Sequence, residues 1–295
     1  MNDSSARRNV ITPLHEIAGP AVPSRPQRGE DGAPYPKQSW ILLNTFTKHP
    51  LRVASRLAWL VGEFALAGLG YLVHVVFRQT DAVPTARALW LQQACRRILR
   101  VFNVWVRTTG PIPARGLLVS NHLSYLDILV LGAITPAAFV AKHDVRSWPV
   151  LGWFARLAGT VFVRREKRTD AARAITEIKQ ALDNGALVVL FPEGTSSGGK
   201  TVLPFKSALL APAAQQNQPL SAGFVHYSLE DGSVADEVCY WRDMTLVPHL
   251  INLLGKRGIS AHVSFVQIQE GFGDRKELAR RLHSEVMRLK EALSM

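Results

Sequence analysis

Residues 116–127 read GLLVSNHLSYLD, and this stretch predicts the fold class of the chain. The apolar run 116–120 is short and ends in a polar loop, which is typical of a buried strand. Apolar residues resume after Ser124, which indicates that a helix begins there. A strand that leads through a loop into a helix is the repeating unit of α/β domains.

The same alternation continues toward the C-terminus. Residues 186–191 and 263–268 are strand-like runs, and residues 171–182 and 274–293 have helical periodicity. Asp274 and Glu277 predict a capping box at the start of the last helix. The pattern therefore predicts an α/β domain over residues 109–295.

The loop in the opening stretch contains a histidine and an aspartate, His122 and Asp127. On one continuous helix they would point about 140° apart, so they meet only if His122 precedes the helix and Asp127 lies in its first turn. Ser124 as N-cap, with Asp127 as its partner, predicts a helix start that allows this. Asp127 would then orient His122 as a base toward a substrate hydroxyl. Two alternatives remain: Asp127 only caps the helix, or Ser124 and His122 form a hydrolase pair.

A second stretch, residues 191–206, reads FPEGTSSGGKTVLPFK. Residues 194–201 fit the phosphate-binding pattern G-x-x-x-x-G-K-[ST], and an apolar run precedes them. That loop requires a helix beginning at its lysine, but Pro204 would fall in the second turn of such a helix and break it. No later apolar run ends in an aspartate that could hold magnesium. A nucleotide-binding protein is therefore a remote alternative.

The N-terminal part of the chain differs in composition from the rest. Residues 1–40 contain many prolines and few large apolar side chains, so we expect a disordered tail without a cleavable signal peptide. Residues 57–77 are apolar enough to span a bilayer. Basic residues flank them on both sides, which favours a helix that dips into one leaflet. The alternative is a buried helix of a soluble protein.

Two further patterns predict how this N-terminal part packs. One helical stripe of the apolar segment carries small and polar residues, which predicts contact with another helix while the remaining surface faces lipid. The stripe comprises Glu63, Ala67, Gly70 and His74. Residues 84–107 predict a basic amphipathic helix with Trp105 and Arg107 near its end, suited to an anionic membrane surface or to packing on its own domain. We therefore expect membrane-associated helices over residues 41–108.

The composition limits the class of partner. The 295-residue chain has a net charge of +12, which indicates an acidic partner such as nucleic acid, anionic lipid or an acidic carrier. Its two cysteines, Cys95 and Cys239, fit no disulfide or metal framework, so a reducing compartment is expected.

Several motifs together resemble the glycerolipid acyltransferase family, whose bacterial type member makes phosphatidic acid from 1-acylglycerol 3-phosphate. The similarity runs in one order from about residue 109 to 270. The matching stretches are NHxxxxD at 121–127, G-x-x-F-[IV]-x-R at 159–165, FPEGTS at 191–196, Ala141-Lys142 with 148–152, and LPFK at 203–206. Residues 241–244 and 248–250 look like the branch that acylates lyso-ornithine lipid.

The resemblance implies a mixed sheet with flanking helices of the glycerol-3-phosphate acyltransferase type. It implies that His122 is the general base and that Asp127 orients it. It also implies acceptor-binding roles for a further set: Arg165, Glu193, Gly194, Thr195, Lys206 and Lys142. No metal and no cofactor are expected.

The implied reaction moves an acyl group from a thioester to a lysolipid. The donor would be acyl-carrier protein or acyl-CoA, and the acceptor 1-acylglycerol 3-phosphate or, alternatively, lyso-ornithine lipid. The implied place is the inner membrane, with the catalytic domain on its cytoplasmic face against anionic lipid and without nucleic acid. A membrane-binding protein with an inactive site is the competing class, and the complete motifs argue against it.

Overall fold

The computed structural model describes residues 49–76, 83–164, 168–215, 218–269 and 274–294. Its centre is a seven-stranded sheet in the order β1-β7-β6-β2-β5-β3-β4. The strands are β1 (Val104–Thr109), β2 (Gly116–Ser120), β3 (Ala138–Lys142), β4 (Val161–Val163), β5 (Leu187–Leu190), β6 (Leu220–Leu229) and β7 (Ile259–Ile268). Neighbouring strands are parallel except β6 and β7, which are antiparallel. The expected mixed α/β sheet is confirmed.

Helices cover both faces of this sheet. They are α1 (Pro50–Tyr71), α2 (Val83–Val101), α3 (Leu126–Ile134), α4 (Leu151–Leu157), α5 (Arg168–Asp183), α6 (Ala211–Gln215), α7 (Val234–Glu237), α8 (Leu246–Gly255) and α9 (Arg275–Ser294). A π-helical turn, Leu72–Val76, extends α1, and 3-10 turns form at His143–Ser147 and Ala208–Leu210. One core cluster joins the sheet to α2 and α3, and a second joins it to α5 and α9.

The parallel strands place the motifs at one edge of the sheet. Strands β2, β5, β3 and β4 are neighbours and run in the same direction. In open α/β sheets, ligands bind outside the carboxyl ends of such strands. The loops that follow β2 and β5 contain His122 and Glu193, so the fold brings the two principal motifs to this edge.

Helix α1 packs through the first three residues of the predicted stripe, whereas the fourth, His74, is exposed. The Trp90 indole donates a hydrogen bond of 2.7 Å to the Ala67 carbonyl, and Arg97 pairs with Glu63 at 3.0 Å. The segment Pro50–Val76 is 27 residues long, and by length and composition it could cross a membrane. Only 22% of its most apolar window is buried. The predicted contact with a second helix is thus observed, and much of the remaining apolar surface is exposed.

The helix predicted over 84–107 is wrong in its last quarter, residues 102–107. Helix α2 ends at Val101, and Asn103 adopts a left-handed conformation with φ of 54°. Asparagine tolerates this conformation better than most residues. The Asn103 amide donates to the Arg257 carbonyl at 2.6 Å, and the chain then enters β1, which pairs with β7. Strand β1 therefore lies in the range assigned to N-terminal helices. The tail predicted over 1–40 lies outside the described residues.

Candidate active site

The loop after β2 is anchored to the neighbouring strand β6. The Asn121 side chain exchanges two hydrogen bonds with the backbone of Val225: its amide donates to the carbonyl at 2.9 Å, and its oxygen accepts from the amide at 2.7 Å. Asn121 is buried, so these bonds satisfy groups that would otherwise be costly to desolvate. The anchored loop holds His122 ahead of α3, which begins at Leu126.

Asp127 lies in the first turn of α3 and collects four hydrogen bonds. Its Oδ2 accepts from His122 Nδ1 at 2.8 Å and from the amides of Leu123 and Ser124 at 2.7 and 3.0 Å. Its Oδ1 accepts from the Tyr227 hydroxyl at 2.7 Å. The carboxylate is fully buried, and hydrogen bonds of this kind compensate a buried charge. The structure therefore shows the contact between His122 and Asp127 that their spacing allowed.

The geometry leaves one nitrogen of His122 available. Nδ1 faces Asp127, so Nε2 is the nitrogen that can meet a ligand. The ring stacks on Phe191, with 4.2 Å between the ring centroids and 20° between the planes. The His122 side chain is 21% exposed, whereas Asp127 is at 0%. A buried acid thus orients a partly open imidazole, an arrangement that can remove a proton from a bound hydroxyl.

Glu193 follows β5 and supports the same loop. Its Oε1 accepts a 3.0 Å hydrogen bond from the His122 amide, and the carboxyl group also accepts a backbone hydrogen bond from Leu203. Burial is the main cause that raises the Glu193 pKa to about 8, so the carboxyl group is mostly protonated near pH 7. Gly194, with φ of 79°, turns the chain beside it. A neutral Glu193 can donate a hydrogen bond to a ligand atom.

Comparison with known proteins identifies the family. A family model described as Acyltransferase matches residues 103–228. A lyso-ornithine lipid O-acyltransferase of Pseudomonas aeruginosa is 34% identical over 246 residues, which cover 80% of this chain and 92% of the relative. The chain belongs to the acyltransferase family. This acyltransferase is also 32% identical to a 1-acyl-sn-glycerol-3-phosphate acyltransferase of Neisseria meningitidis, over 63% of the chain and 74% of the relative.

A solved structure shares the fold of the acyltransferase. The crystal structure of the 1-acyl-sn-glycerophosphate (LPA) acyltransferase PlsC from Thermotoga maritima superposes with a TM-score of 0.58 at 23% identity. The match covers 83% of this chain and 98% of that one. The apolar helix α1 and the lipid substrates named for the relatives indicate that the acyltransferase associates with membranes.

The structure corrects the predicted cap of α3 in this acyltransferase. Tyr125, not Ser124, occupies the N-cap position. Asp127 accepts the Ser124 amide, which is one half of a capping box, but Ser124 Oγ is buried without a hydrogen-bond partner among the described residues. The alternative of a Ser–His hydrolase requires a bond between Ser124 and His122, and the described contacts of His122 do not include one. The hypothesis of a Ser–His hydrolase is therefore not supported.

The interpretation of residues 194–201 as a nucleotide-binding phosphate loop is wrong. No helix begins at Lys200: the chain bends at residues 200 and 201, residues 202–207 have no regular secondary structure, and the next helical turn is Ala208–Leu210. The Lys290 ammonium donates to the carbonyls of Gly199 and Lys200, which ties this loop to α9. Without a helix N-terminus behind the loop, the phosphates of a nucleotide would lack their main binding element.

The remaining predicted binding residues that the structure describes are all exposed. Thr195 and Lys206 are exposed, and the Lys206 amide donates to the Pro192 carbonyl at 2.9 Å. Lys142 is exposed at the end of β3 and pairs with Asp144 at 2.7 Å. Arg165 lies outside the described residues. Glu193 therefore contacts the backbone of His122, whereas Lys142 and Lys206 lie farther out on the surface of the acyltransferase.

Several residues that support the site were missed from the sequence. Tyr227 bonds Asp127 from a strand 100 residues later in the chain. The Tyr240 amide donates to the Leu123 carbonyl at 2.8 Å, and the Tyr125 hydroxyl lies 3.0 Å from Nδ1 of the buried His249. Burial lowers the His249 pKa to about 4, so this imidazole is neutral near pH 7. Residues 241–250 include stretches that resemble one branch of the family, but their spacing did not indicate contact with the loop that contains His122.

Glu193→Gln is expected to flatten the pH dependence of stability. The folded-state pKa of Glu193 is raised above its ordinary value of 4.5, so the folded state binds this proton more tightly than the unfolded state. Its contribution to stability is therefore greatest at low pH and decreases as pH rises from about 4.5 to 8. Glutamine is neutral throughout this range.

Chemical unfolding of both proteins at pH 5 and pH 8 measures this difference. The wild-type free energy of unfolding should decrease more between the two pH values than that of the variant. Equal pH dependence in the two proteins would show that Glu193 does not titrate in this window.

Proposed function

We propose that this acyltransferase moves a fatty acyl group from a thioester to the free hydroxyl of a lysolipid. The observation that carries the proposal is the His122–Asp127 pair, with 2.8 Å between Nδ1 and Oδ2 and with Nε2 left available. The products are a diacyl lipid and the free thiol of the carrier. The family and its named relatives support the reaction class.

The proposed chemistry needs one proton carrier. Nε2 of His122 takes the proton from the acceptor hydroxyl while the hydroxyl oxygen attacks the thioester carbonyl. The tetrahedral intermediate then collapses, the carbon–sulfur bond breaks, and the leaving sulfur takes the proton back from Nε2. Asp127 stabilises the imidazolium that exists between these two transfers. Because four donors hold Asp127 in place, the base is oriented before substrate binds.

We propose lyso-ornithine lipid as the acceptor. The segment that resembles the lyso-ornithine branch contacts the loop of His122 through His249, which bonds Tyr125. Tyr240, the residue directly before this segment, donates to the Leu123 carbonyl. The Ser196 hydroxyl, at the end of the FPEGTS motif, donates to the Tyr240 carbonyl. The Pseudomonas aeruginosa relative, named for lyso-ornithine lipid, matches 80% of the chain, whereas the Neisseria meningitidis relative matches 63%.

Lysophosphatidic acid is the second candidate acceptor, and it is the one that the motifs alone favour. Its phosphate would require cations at the carboxyl edge of the parallel strands, and Lys142 lies there at the end of β3. Under either acceptor, we propose that Glu193, Gly194 and Thr195 bind the head group. We assign Arg165, Lys206 and Lys142 to its anionic part.

The proposed location follows from the substrates and from the helices. Acyl-carrier protein and acyl-CoA are cytoplasmic donors, so we propose that the catalytic domain lies on the cytoplasmic face of the inner membrane. Helix α1 would enter the lipid, because its exposed side chains are largely apolar. Helix α2 contributes basic residues beside it, of which Arg100 is exposed, and these suit an anionic surface.

An acceptor assay tests this function. Purified protein is incubated with acyl-carrier thioester or acyl-CoA and with either lyso-ornithine lipid or lysophosphatidic acid. The expected result is formation of ornithine lipid at the higher rate. Conversion of lysophosphatidic acid alone would overturn the proposed acceptor, and conversion of neither lipid with either donor would overturn the function.

A further inference from the structure

The first two turns of helix α1 hold the C-terminal end of helix α8. Arg52 donates to the Gly255 carbonyl at 3.0 Å. Arg56, one turn later, donates to the Leu254 carbonyl at 3.1 Å and to the Lys256 carbonyl at 2.5 Å. The last carbonyls of a helix have no partner within that helix, and cations are favoured beside them. The two arginines of α1 therefore cap α8.

The opposite end of α8 contacts the loop that contains His122. His249 lies in the first turn of α8 and is 5% exposed, and its Nδ1 is 3.0 Å from the Tyr125 hydroxyl. The two rings also pack edge to face, with 5.4 Å between their centroids. Tyr125 is the N-cap of α3 and lies between His122 and Asp127 in the chain. Helix α8 thus touches α1 at one end and the catalytic pair's loop at the other.

Further contacts fix α8 between these two ends. The Asn252 side chain is buried and donates to the Glu237 carbonyl at 2.9 Å, and the Lys256 ammonium pairs with the Glu237 carboxylate. Leu253 and Leu254 are fully buried in the core. Close-packed interiors transmit strain, and a helix of this length spans about 15 Å. A displacement at the arginine end of α8 is therefore expected to move its histidine end.

We propose that α8 couples α1 to His122, and that Arg56 is a positioning residue for the acyl transfer proposed above. Arg56 hydrogen-bonds α8, so its effect on the reaction passes through that helix to Tyr125. Tyr125 holds the start of α3, whose first turn presents Asp127 to His122. Small displacements matter at this point, because a misplacement of about 1 Å at reacting groups can lower a rate by 10²-fold.

A double-mutant cycle in kcat tests the coupling through α8. Arg56→Met keeps the length of the side chain and removes its donors, and Tyr125→Phe removes the hydroxyl that contacts His249. Each single variant is expected to lower kcat by about 2- to 30-fold, the range for substitutions along a coupled network, with unchanged KM for both substrates. The double variant should be no slower than the slower single variant. Distant residues that act independently multiply their effects, so multiplied effects, or a wild-type kcat in Arg56→Met, would overturn the proposal.

A core variant controls for a general loss of stability. Ile178→Val shortens a fully buried side chain of α5 in the second core cluster, away from α8. Its kcat, measured well below the unfolding midpoint, should equal the wild-type value, and a fall that matches Arg56→Met would contradict the coupling. Where Arg56→Met does not fold, Arg56→Lys takes its place in the cycle. Lysine keeps the charge but not the forked donor, so a smaller fall in kcat is expected.

Hydrogen exchange separates the coupling from the proposed function, because it needs no substrate. The amides of Leu123 and Ser124 donate to Asp127 and should be protected from exchange. Arg56→Met is expected to speed exchange in residues 121–127 relative to wild type and to Ile178→Val. Faster exchange in Arg56→Met, in a protein that acylates no lysolipid, would keep the coupling and overturn the function. Acyl transfer with wild-type exchange and kcat in Arg56→Met would do the reverse.

Discussion

His122→Ala is expected to lower kcat by about 10²- to 10⁴-fold, the range that a positioned general base contributes. The variant loses Nε2, which we propose as the atom that takes the proton from the acceptor hydroxyl. Asp127 would still accept hydrogen bonds from the Leu123 and Ser124 amides and from Tyr227, so the loop keeps most of its support. We therefore expect a folded protein with little activity, measured by acyl transfer and by thermal unfolding.

A histidine outside the site provides the control for this experiment. His74 is exposed on the π-helical turn after α1 and contacts the Gly70 carbonyl at 3.0 Å. His74→Ala should retain the wild-type kcat. A folded His122→Ala protein with wild-type kcat would contradict the proposed base and would restore the interpretation of a membrane-binding protein with an inactive site.

Asp127→Asn is expected to lower both activity and stability. Four donors point at this carboxylate, and an asparagine offers one acceptor oxygen and a donor amide in its place. At least one buried donor would lose its partner, which costs about 1–3 kcal/mol. The amide would also disturb the tautomer of His122, and the corresponding change in serine proteases lowers kcat by about 10⁴-fold. Acyl transfer and the midpoint of chemical unfolding measure the two effects.

Tyr227→Phe is the graded control for that substitution. It removes one hydrogen bond from Asp127 Oδ1 and leaves the bond between Asp127 and His122 in place. We expect it to reduce kcat by at most about 150-fold, far less than Asp127→Asn, since a hydrogen bond to a charged group contributes about 1.5–3 kcal/mol. If Asp127→Asn lowers stability but keeps the wild-type kcat, Asp127 only supports the start of α3 and has no role in the reaction.

Local sequence patterns were sufficient to predict much of the secondary structure of this protein. The apolar run 116–120 coincides with β2, the periodic segment 171–182 lies within α5, and the segment 274–293 begins one residue before α9 and then follows it. Burial of one helix face or of a whole strand imposes a period on the residues themselves, so such elements can be predicted without a fold. The five-residue spacing of His122 and Asp127 likewise restricted them to one arrangement across a helix start.

The helix end at Val101 shows where local patterns failed. Residues 102–107 continue the apolar spacing of α2, yet they turn at Asn103 into β1. The Asn103 amide bonds the carbonyl of Arg257, a residue 154 positions away, and β1 gains its hydrogen bonds from β7. Those partners outweigh the helical pattern, and their position is not encoded in the neighbouring residues.

The sequence by itself determined the α/β class and the apolar N-terminal helix, because each depends on residues close together along the chain. For His122 and Asp127 the sequence allowed a contact across the helix start, and the structure shows that contact. Only the tertiary structure decided that Tyr227 holds the far oxygen of Asp127. That contact depends on the order and register of strands distant in sequence. Register is set by packing and by hydrogen bonds between whole strands, so it exists only once the sheet has formed.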